Sequence, residues 1–423
     1  MDTTTTRPQA RGALGVVPVR SSHRVTMFEI FFDLVFVFAI TRVVAYLEQD
    51  HGPTAPVQGL VLLLLLWWAW SAFTWLGNRV RADRGFVKLG MVAAMAGLFL
   101  AGVVAPGAWQ PDGGPIDAPL VLALAFAAVR VTYVLLFRAA AQNDPRLRTQ
   151  ITLDLVPQGI SSVLLVVGAV LGGTTQTVLW SCALLVDFAG GRITSGYRGW
   201  RIVSPGHFVE RHGLVVIIAF GETLVAAGTG AGDRVMRWPV VAAASLGFLL
   251  AATLWSAYAA RLAGAAGGVL AAASARRRAE LARDGYALGH APVVVGIVAL
   301  ALGLRLLLAD ADDGAPAGWT ATAALTGGVA LYLLALELVR WVMLRELHAA
   351  PMLGVLALVD VAVGTHTGPA LLVLGLTTAV VVTVVAVEQV GTRQTRSRRR
   401  SDRATPPSSR HNRDGHQIGA PMS

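Results

Sequence analysis

The chain of 423 residues is strongly apolar, with 55% hydrophobic residues, 14% charged residues and a mean hydropathy of +0.60. A water-soluble domain carries about 25% charged residues to keep its surface hydrated, so this composition excludes an ordinary soluble enzyme or binding module. The net charge of +10 would suit a nucleic-acid partner. However, much of the excess lies in an arginine-rich carboxyl-terminal segment, which we expect to contact anionic lipid headgroups and not nucleic acid.

Twelve apolar segments of bilayer-spanning length follow one another along the chain, separated by short polar loops. Because every backbone group inside the hydrocarbon must be bonded internally, they predict an all-α polytopic membrane protein. Disordered cytoplasmic tails are expected at residues 1–26 and 391–423, and a cytoplasmic linker at 191–211. The predicted spans are 27–47, 57–77, 86–105, 119–138, 151–171, 174–190, 212–230, 238–260, 286–308, 318–341, 351–366 and 369–388.

The loops alternate in charge along the chain. Most of the 35 lysines and arginines lie in the two tails and the even-numbered loops, whereas the odd-numbered loops carry mainly acids. Positively charged loops remain in the cytoplasm. This alternation therefore predicts an even number of spans with both termini cytoplasmic.

The regions 27–190 and 212–390 show weak internal similarity. The segment FEIFFDLVFVFAIT, starting at Phe28, aligns with FVERHGLVVIIAFG, starting at Phe208. Further matches keep the same order at a shift of about 180 to 200 residues, which indicates a duplication. We therefore expect two parallel six-helix halves, an arrangement found in transporters and in channels built from repeats.

Charged side chains inside spans are the first candidates for function, because each one costs several kcal/mol in hydrocarbon. Glu222 lies near the middle of the seventh span, and its helical spacing from Arg211 points both residues in the same direction. Glu222 is a candidate proton-titrating carboxylate or substrate contact, with a structural ion pair as the alternative. Arg130 lies near the middle of the fourth span, where we expect a buried partner such as Glu222 or Asp33.

Glu29 and Asp33 are spaced to share one face near the cytoplasmic entrance of the first span. Two adjacent carboxylates can bind a cation or share a proton, and pairing with loop arginines is the alternative. Arg42 and Arg305 lie nearer the outer ends of their spans and are expected to snorkel outward. Asp360 is the most deeply placed of the remaining acids.

No metal, cofactor or enzymatic activity is expected. His207 and His212 are separated by five positions and therefore point away from each other on a helix, and no H-E-x-x-H pattern, nucleotide loop or catalytic triad occurs. Glu210 and Arg211 are expected to meet loop charges at the membrane interface, and His290 to be a hydrogen-bonded packing residue. Four tryptophans of the second span region are expected to pack or to lie at an interface: Trp67, Trp68, Trp70 and Trp75.

Two segments resemble signatures of the bacterial low temperature requirement A family: Glu29 to Thr41 in the first span, and His207 to Glu222 in the seventh. A third, YALGHAPVVVG from Tyr286, is also similar. The resemblance implies a protein of the bacterial cytoplasmic membrane with a role in growth at low temperature, but no established activity. Small residues of the second signature would let a neighbouring backbone approach closely. The signature residues are Phe31, Phe32, Asp33, Glu210, Arg211, His212, Gly213, Gly221, Glu222 and His290.

The leading hypothesis is a secondary-transporter-like protein, with proton coupling and with Glu222, Arg130 and Asp33 at the contact of the two halves. The alternative is an ion channel built from six-helix repeats, because the Phe-Phe-Asp sequence of the first span loosely resembles the Phe-Ser-Asp signature of certain potassium channels. A third hypothesis is a non-transporting accessory protein of the stress response. The expected partners are the lipid bilayer and a small solute or ion of unknown identity.

Overall fold

A computed structural model describes residues 16–49, 52–110, 115–194, 199–232, 236–309, 311 and 316–404. These residues form α-helices joined by short loops. Within the described ranges there is no β-strand, only two isolated β-bridges. The all-α fold class predicted from the sequence is therefore confirmed.

Fourteen α-helices follow in chain order, and two of them are extended by π-helical segments, Ala259–Ala263 after α8 and Ala282–Leu288 before α11. The helices are α1 (Met27–Gln49), α2 (Ala55–Gly77), α3 (Gly85–Val104), α4 (Ala118–Ala140), α5 (Pro145–Leu171), α6 (Gly173–Thr194), α7 (Pro205–Ala231), α8 (Trp238–Tyr258), α9 (Gly264–Ala272), α10 (Ala275–Leu281), α11 (His290–Ala309), α12 (Trp319–Leu344), α13 (Ala349–Thr365) and α14 (Ala370–Ala404).

A helix lies at each of the twelve predicted spans. Ten helical segments of the described chain are long and apolar enough to cross a membrane, which makes the protein a multi-pass membrane protein. The two predicted spans outside this set are α6, which contains Asp187 and Arg192, and α13, which has only 17 residues. The count of twelve crossings stays a prediction.

The relative directions of α1 and α7 indicate whether α6 crosses the membrane. Glu29 contacts His207 and Thr41 contacts Glu222, at sequence separations of 178 and 181 residues. This nearly constant offset means that α1 and α7 run parallel. An odd number of helices must then reverse the chain between them, which argues for a crossing by α6 together with α2, α3, α4 and α5.

The order of helix contacts in the first part of the chain recurs in the second part. A duplication of six spans predicts this recurrence of contacts, and α9 and α10 would then be an additional segment of the second copy. The two-half layout stays a prediction. The contacts α1–α2, α1–α3, α2–α6, α3–α4, α4–α5 and α5–α6 correspond to α7–α8, α7–α11, α8–α14, α11–α12, α12–α13 and α13–α14.

Glycines allow the closest helix packing between α11 and α12. A Cβ atom on Gly296 would lie 2.8 Å from the Gly328 carbonyl oxygen, and one on Gly303 would collide with the backbone of α12. The expectation that Gly213 and Gly221 serve the same purpose is wrong, because a Cβ atom on either meets nothing within 4 Å. The close approach at Gly296 and Gly303 therefore lies between α11 and α12, away from the α7 signature.

The amino-terminal residues nearest to α1 are ordered, unlike the disordered tail that we expected over residues 1–26. Val17 and Val19 are buried. The Val19 N–H donates to the Arg79 carbonyl at 3.0 Å, and the Arg81 N–H donates to the Val17 carbonyl at 2.8 Å. Burial of apolar side chains together with these paired backbone groups fixes the segment on the α2–α3 loop.

Two other predicted boundaries differ from the structure. Residues 205–211, expected in the linker, belong to α7, because the Ser204 hydroxyl caps the helix by accepting the His207 N–H at 3.3 Å. Residues 391–404, expected to be disordered, continue α14, since no proline interrupts the chain before Pro406. Residues 1–15 and 405–423 lie outside the described residues.

Candidate functional site

The two carboxylates of α1 lie in a buried cluster at its contact with α7. The Arg211 Nη2 donates to Asp33 Oδ1 at 2.7 Å, and Arg211 Nη1 lies 3.8 Å from Glu29 Oε1. His207 Nε2 lies 2.8 Å from the same Glu29 oxygen. The predicted common face of Glu29 and Asp33 is confirmed. The arginine that contacts both is Arg211, which we had counted in the linker and which belongs to α7. Arg211 is accordingly buried, not at the interface where we expected it.

The amide of Asn78 determines the hydrogen-bonding role of His207. Asn78 Oδ1 accepts the N–H groups of Val203 and Ser204 at 2.7 and 3.3 Å, so its Nδ2 is the donor. This Nδ2 donates to the Ser204 carbonyl at 2.6 Å and faces His207 Nδ1 at 3.3 Å. His207 Nδ1 is therefore an acceptor, and the ring proton lies on Nε2, which donates to Glu29.

His23 lies at the end of the cluster nearest to the start of α1. Its ring stacks on His207 with centroids 4.9 Å apart, and burial lowers the pKa of His23. His23, Glu29 and His207 present ligand atoms within 4.8 Å of one another, close enough to share a metal ion. However, Glu29 already accepts from His207 Nε2–H and from the Thr26 backbone and hydroxyl. We therefore keep the prediction that no metal binds.

The cluster carries more negative than positive charge. It contains two carboxylates, one guanidinium and a histidine whose single ring proton points at Glu29. Asp33 Oδ1 accepts from Arg211 and from Trp70 Nε1, at 2.7 Å each. Asp33 Oδ2 is buried and has no hydrogen-bond partner among the described residues. This oxygen is the place where the cluster can accept a proton.

The two phenylalanines of the first signature point in opposite directions. Phe32 is fully buried, with the Arg211 guanidinium 5.9 Å from its ring centroid, whereas Phe31 is 54% exposed on the outer surface of α1. The Trp70 ring centroid lies 5.6 Å from the same guanidinium. Two aromatic rings therefore lie close to the buried cation, an arrangement that stabilises its charge.

Glu222 lies farther along the same α1–α7 contact. It accepts a hydrogen bond from the Thr41 hydroxyl, so Glu222 and Arg211 both face α1 and their predicted common direction is confirmed. No ion pair of Glu222 occurs among the described residues. Arg305, expected to snorkel outward, instead pairs with Glu48 at 2.8 Å between α11 and α1.

Arg130 pairs with a residue that the sequence interpretation had not selected. Its Nη2 donates to Asp187 Oδ2 of α6 at 2.6 Å, and its guanidinium stacks 4.8 Å from the Trp68 ring. The predicted partners Glu222 and Asp33 are wrong, because both lie at the α1–α7 contact while Arg130 faces α6. Asp187 lies within the predicted span 174–190, and this position was the available signal.

The histidines of the second and third signatures form an aromatic group beside the cluster. The His290 ring stacks on Tyr286 with centroids 5.1 Å apart. Its Nε2 lies at hydrogen-bond distance, 3.1 Å, from the Tyr258 hydroxyl, and its Nδ1 lies 3.1 Å from the Gly285 carbonyl oxygen. The expectation of a hydrogen-bonded packing role agrees with these contacts. His212 bonds to the Phe208 carbonyl through Nδ1 at 2.9 Å.

Three remaining candidates lie away from the cluster. Glu210 pairs with Arg24 at 3.6 Å, in line with its expected loop contact. Arg42 is partly buried and makes no ion pair within the part of the chain that the structure describes. Asp360 is exposed on α13, on a face that it shares with the exposed Leu356.

A cavity of about 760 Å³ opens beside the cluster. It lies between α2, α4, α5 and α6 on one side and the α10 segment on the other, and its mouth faces the loops predicted to be cytoplasmic. Trp67 forms part of the wall and stacks on Trp70 at 4.9 Å, and Trp70 bonds to Asp33. The wall is aromatic, with Trp67, Trp68, Trp75, Tyr133, Phe188 and Trp200.

Polar groups occupy the two ends of the cavity. Asp187 and Gln158 line the buried end, or floor, and Asp154 lies between floor and mouth. The sequence interpretation assigned the tryptophans to packing and did not predict that three of them line a cavity, because a concave surface arises from helices distant in sequence. Arginines surround the mouth: Arg146, Arg192, Arg201, Arg276, Arg277 and Arg283.

The fold and the site define an α-helical multi-pass membrane protein with a buried ionic cluster beside an aromatic cavity. The chain matches the bacterial low temperature requirement A family over residues 24–386 and belongs to this family. It is 25% identical to an uncharacterized protein of Rhizobium meliloti (strain 1021) over 299 residues, which cover 66% of this chain and 69% of that protein. No solved structure matches the chain.

Proposed function

We propose that the protein is a secondary-transporter-like membrane protein whose solute binds in the aromatic cavity. The aromatic cavity is the observation that supports this proposal. Its volume of about 760 Å³ falls in the usual range of small-molecule sites. Both halves of the proposed repeat contribute to its lining, which is where transporters with internal repeats place their substrate.

Proton coupling is the second part of the proposal, and Asp33 is the group that we assign to it. The free Oδ2 of Asp33 lies in a cluster with excess negative charge. The stacked pair of Trp67 and Trp70 connects the cavity wall to this carboxylate. A solute that displaces Trp67 would therefore change the hydrogen bonding of Asp33 and its affinity for a proton.

The proposal places the protein in the bacterial cytoplasmic membrane with both termini in the cytoplasm, and it includes no enzymatic step. The family name refers to growth at low temperature, and we propose that transport contributes to this growth.

The test is a flux measurement in proteoliposomes that contain a pH-sensitive dye. Sugars, carboxylates, amines, amino acids, short peptides and inorganic ions are added in turn across a pH gradient. We expect one solute class to produce a saturable pH change. Asp33→Asn should abolish the pH change, because an amide keeps the hydrogen bonds from Arg211 and Trp70 but cannot exchange a proton. Asp360→Asn is the matched control, since it removes an exposed aspartate, and should leave flux unchanged.

Two results would contradict the proposal. A potassium current without any added solute would favour a channel built from six-helix repeats. No flux with any of the added classes would remove both transport hypotheses and favour an accessory role in the stress response.

A further inference from the structure

The floor of the cavity contains acceptors that lack donors. Asp187 Oδ2 accepts from Arg130 and from the Ser161 hydroxyl, at 2.6 and 2.9 Å. Asp187 Oδ1 and Gln158 Oε1 are buried and have no hydrogen-bond partner in the described structure. Asp187 is fully inaccessible at its side chain. Buried polar atoms are rarely left without partners, so this floor suits a molecule that brings N–H donors.

The mouth of the cavity, in contrast to the floor, carries positively charged side chains. Three of its arginines share two acids of the α10 region, since Arg276 and Arg277 both pair with Glu280, and Arg283 pairs with Asp284. Arg146 and Arg201 form no ion pair with any described residue. The mouth therefore keeps uncompensated positive charge, which attracts an anionic group.

The distance between the two ends limits the size of the ligand. Asp187 lies level with Ser161, to which it is bonded, and Arg146 precedes Ser161 by fifteen residues on α5. A helix rises 1.5 Å per residue, so floor and mouth are separated by about 20 Å along the axis. The side chain of Arg146 shortens this distance by several ångströms. A single amino acid cannot span it.

We propose that the cavity binds a short peptide of about four residues with apolar or aromatic side chains, since an extended chain of this length reaches about 13 Å. Its terminal ammonium group donates to Asp187 Oδ1 and Gln158 Oε1 at the floor. Its carboxylate lies at Arg146 and Arg201, and its side chains pack on the tryptophan wall. This inference rests on the proposed function, because it takes the cavity as the site of the transported solute.

The test is calorimetric binding to the full chain in lipid nanodiscs, with no transport required. The probe is a four-residue peptide of alternating alanine and phenylalanine. The comparison ligands are its acetylated form, its amidated form and free phenylalanine. Each blocked end should weaken binding about tenfold, the usual effect of losing one charge-assisted hydrogen bond. Free phenylalanine should bind more weakly than the peptide.

Variants assign each end of the peptide to its partner. Asp187→Asn should remove the preference for the free ammonium over the acetylated peptide. Because this change leaves the Arg130 charge without its partner and can prevent folding, Arg146→Gln provides an independent test at the surface. It should remove the preference for the carboxylate over the amide. Arg148→Gln is the matched control, since Arg148 lies on α5 outside the cavity lining.

Equal affinity for the free and acetylated peptides would overturn the inference, as would equal effects of the Arg146 and Arg148 variants. Absence of saturable peptide binding would also overturn it. Peptide binding without any flux would support the inference while contradicting the transport proposal. Flux of another solute by a protein that does not bind the peptide would contradict the inference while supporting the transport proposal.

Discussion

At the scale of single residues, Asn78 has a larger role than its position in a loop suggests. Its side chain accepts two backbone N–H groups of the α6–α7 loop and sets the tautomer of His207. Helical spacing made Glu29 and Asp33 candidates, but it carried no information about Asn78. The amide lies beyond the end of α2, so its contact with the loop before α7 depends on the tertiary fold.

Asn78→Ala should lower the free energy of unfolding by about 2 to 4 kcal/mol, because it leaves two N–H groups and one carbonyl without partners in a buried region. Thermal denaturation in detergent micelles measures the change. Asn143→Ala, at an exposed loop asparagine, is the control and should shift stability by less than about 0.5 kcal/mol. Equal effects of the two variants would show that Asn78 is not a structural link between α2 and α7.

At the scale of elements, the α11–α12 pair depends on the absence of side chains at its contact. Gly328 and Gly296 face each other there, whereas Gly327 is exposed. The sequence predicted both helices, since each has a long apolar run. It did not distinguish the glycines at the contact from those of α7, because glycine is frequent throughout the chain and only the packing shows which ones are needed.

Gly328→Ala should destabilise the protein by about 1 to 3 kcal/mol, the usual cost of overpacking. The added Cβ atom would lie 2.8 Å from the Gly296 carbonyl oxygen and 3.0 Å from the Ala299 carbonyl carbon. Gly327→Ala is the control on the adjacent residue. It meets nothing within 4 Å and should be neutral or stabilising by up to about 1 kcal/mol, since alanine favours helix. Unfolding in denaturing detergent compares the two, and a reversed order would contradict this packing.

At the scale of the whole molecule, the sequence was most informative about architecture. Apolar length located the ten helical segments of the described chain that are long and apolar enough to cross a membrane, because the membrane imposes the same requirement on each one. The ion pairs were less predictable. The Arg211 contact with Asp33 joins α1 to α7, and the Arg130 contact with Asp187 joins α4 to α6. Such ion pairs depend on which helices are neighbours in the fold. The spacing of residues within one helix does not reveal which helices these are.

The predicted topology can be measured across the entire chain. Reporter fusions after residues 81 and 278 should be cytoplasmic, and fusions after 115 and 312 should be external. A cysteine at Thr174, in a chain with Cys182 replaced by serine, should react with an impermeant maleimide from outside, because α6 crosses the membrane if α1 and α7 run parallel. An internal position for Thr174, or a constant pattern of the fusions, would contradict the twelve-span layout.

The pairing of Arg130 with Asp187 has a counterpart in the second half of the chain. Arg340 of α12 pairs with Glu388 of α14 at 3.2 Å, so each half joins its fourth helix to its sixth through an arginine and an acid. Arg340 is also held by Glu337 and His348, whereas Asp187 keeps one buried oxygen without a hydrogen-bond partner among the described residues. These two ion pairs can therefore differ in role. Substitutions at Arg340 are expected to impair assembly of the protein, and substitutions at Asp187 to alter its ligand selectivity as well.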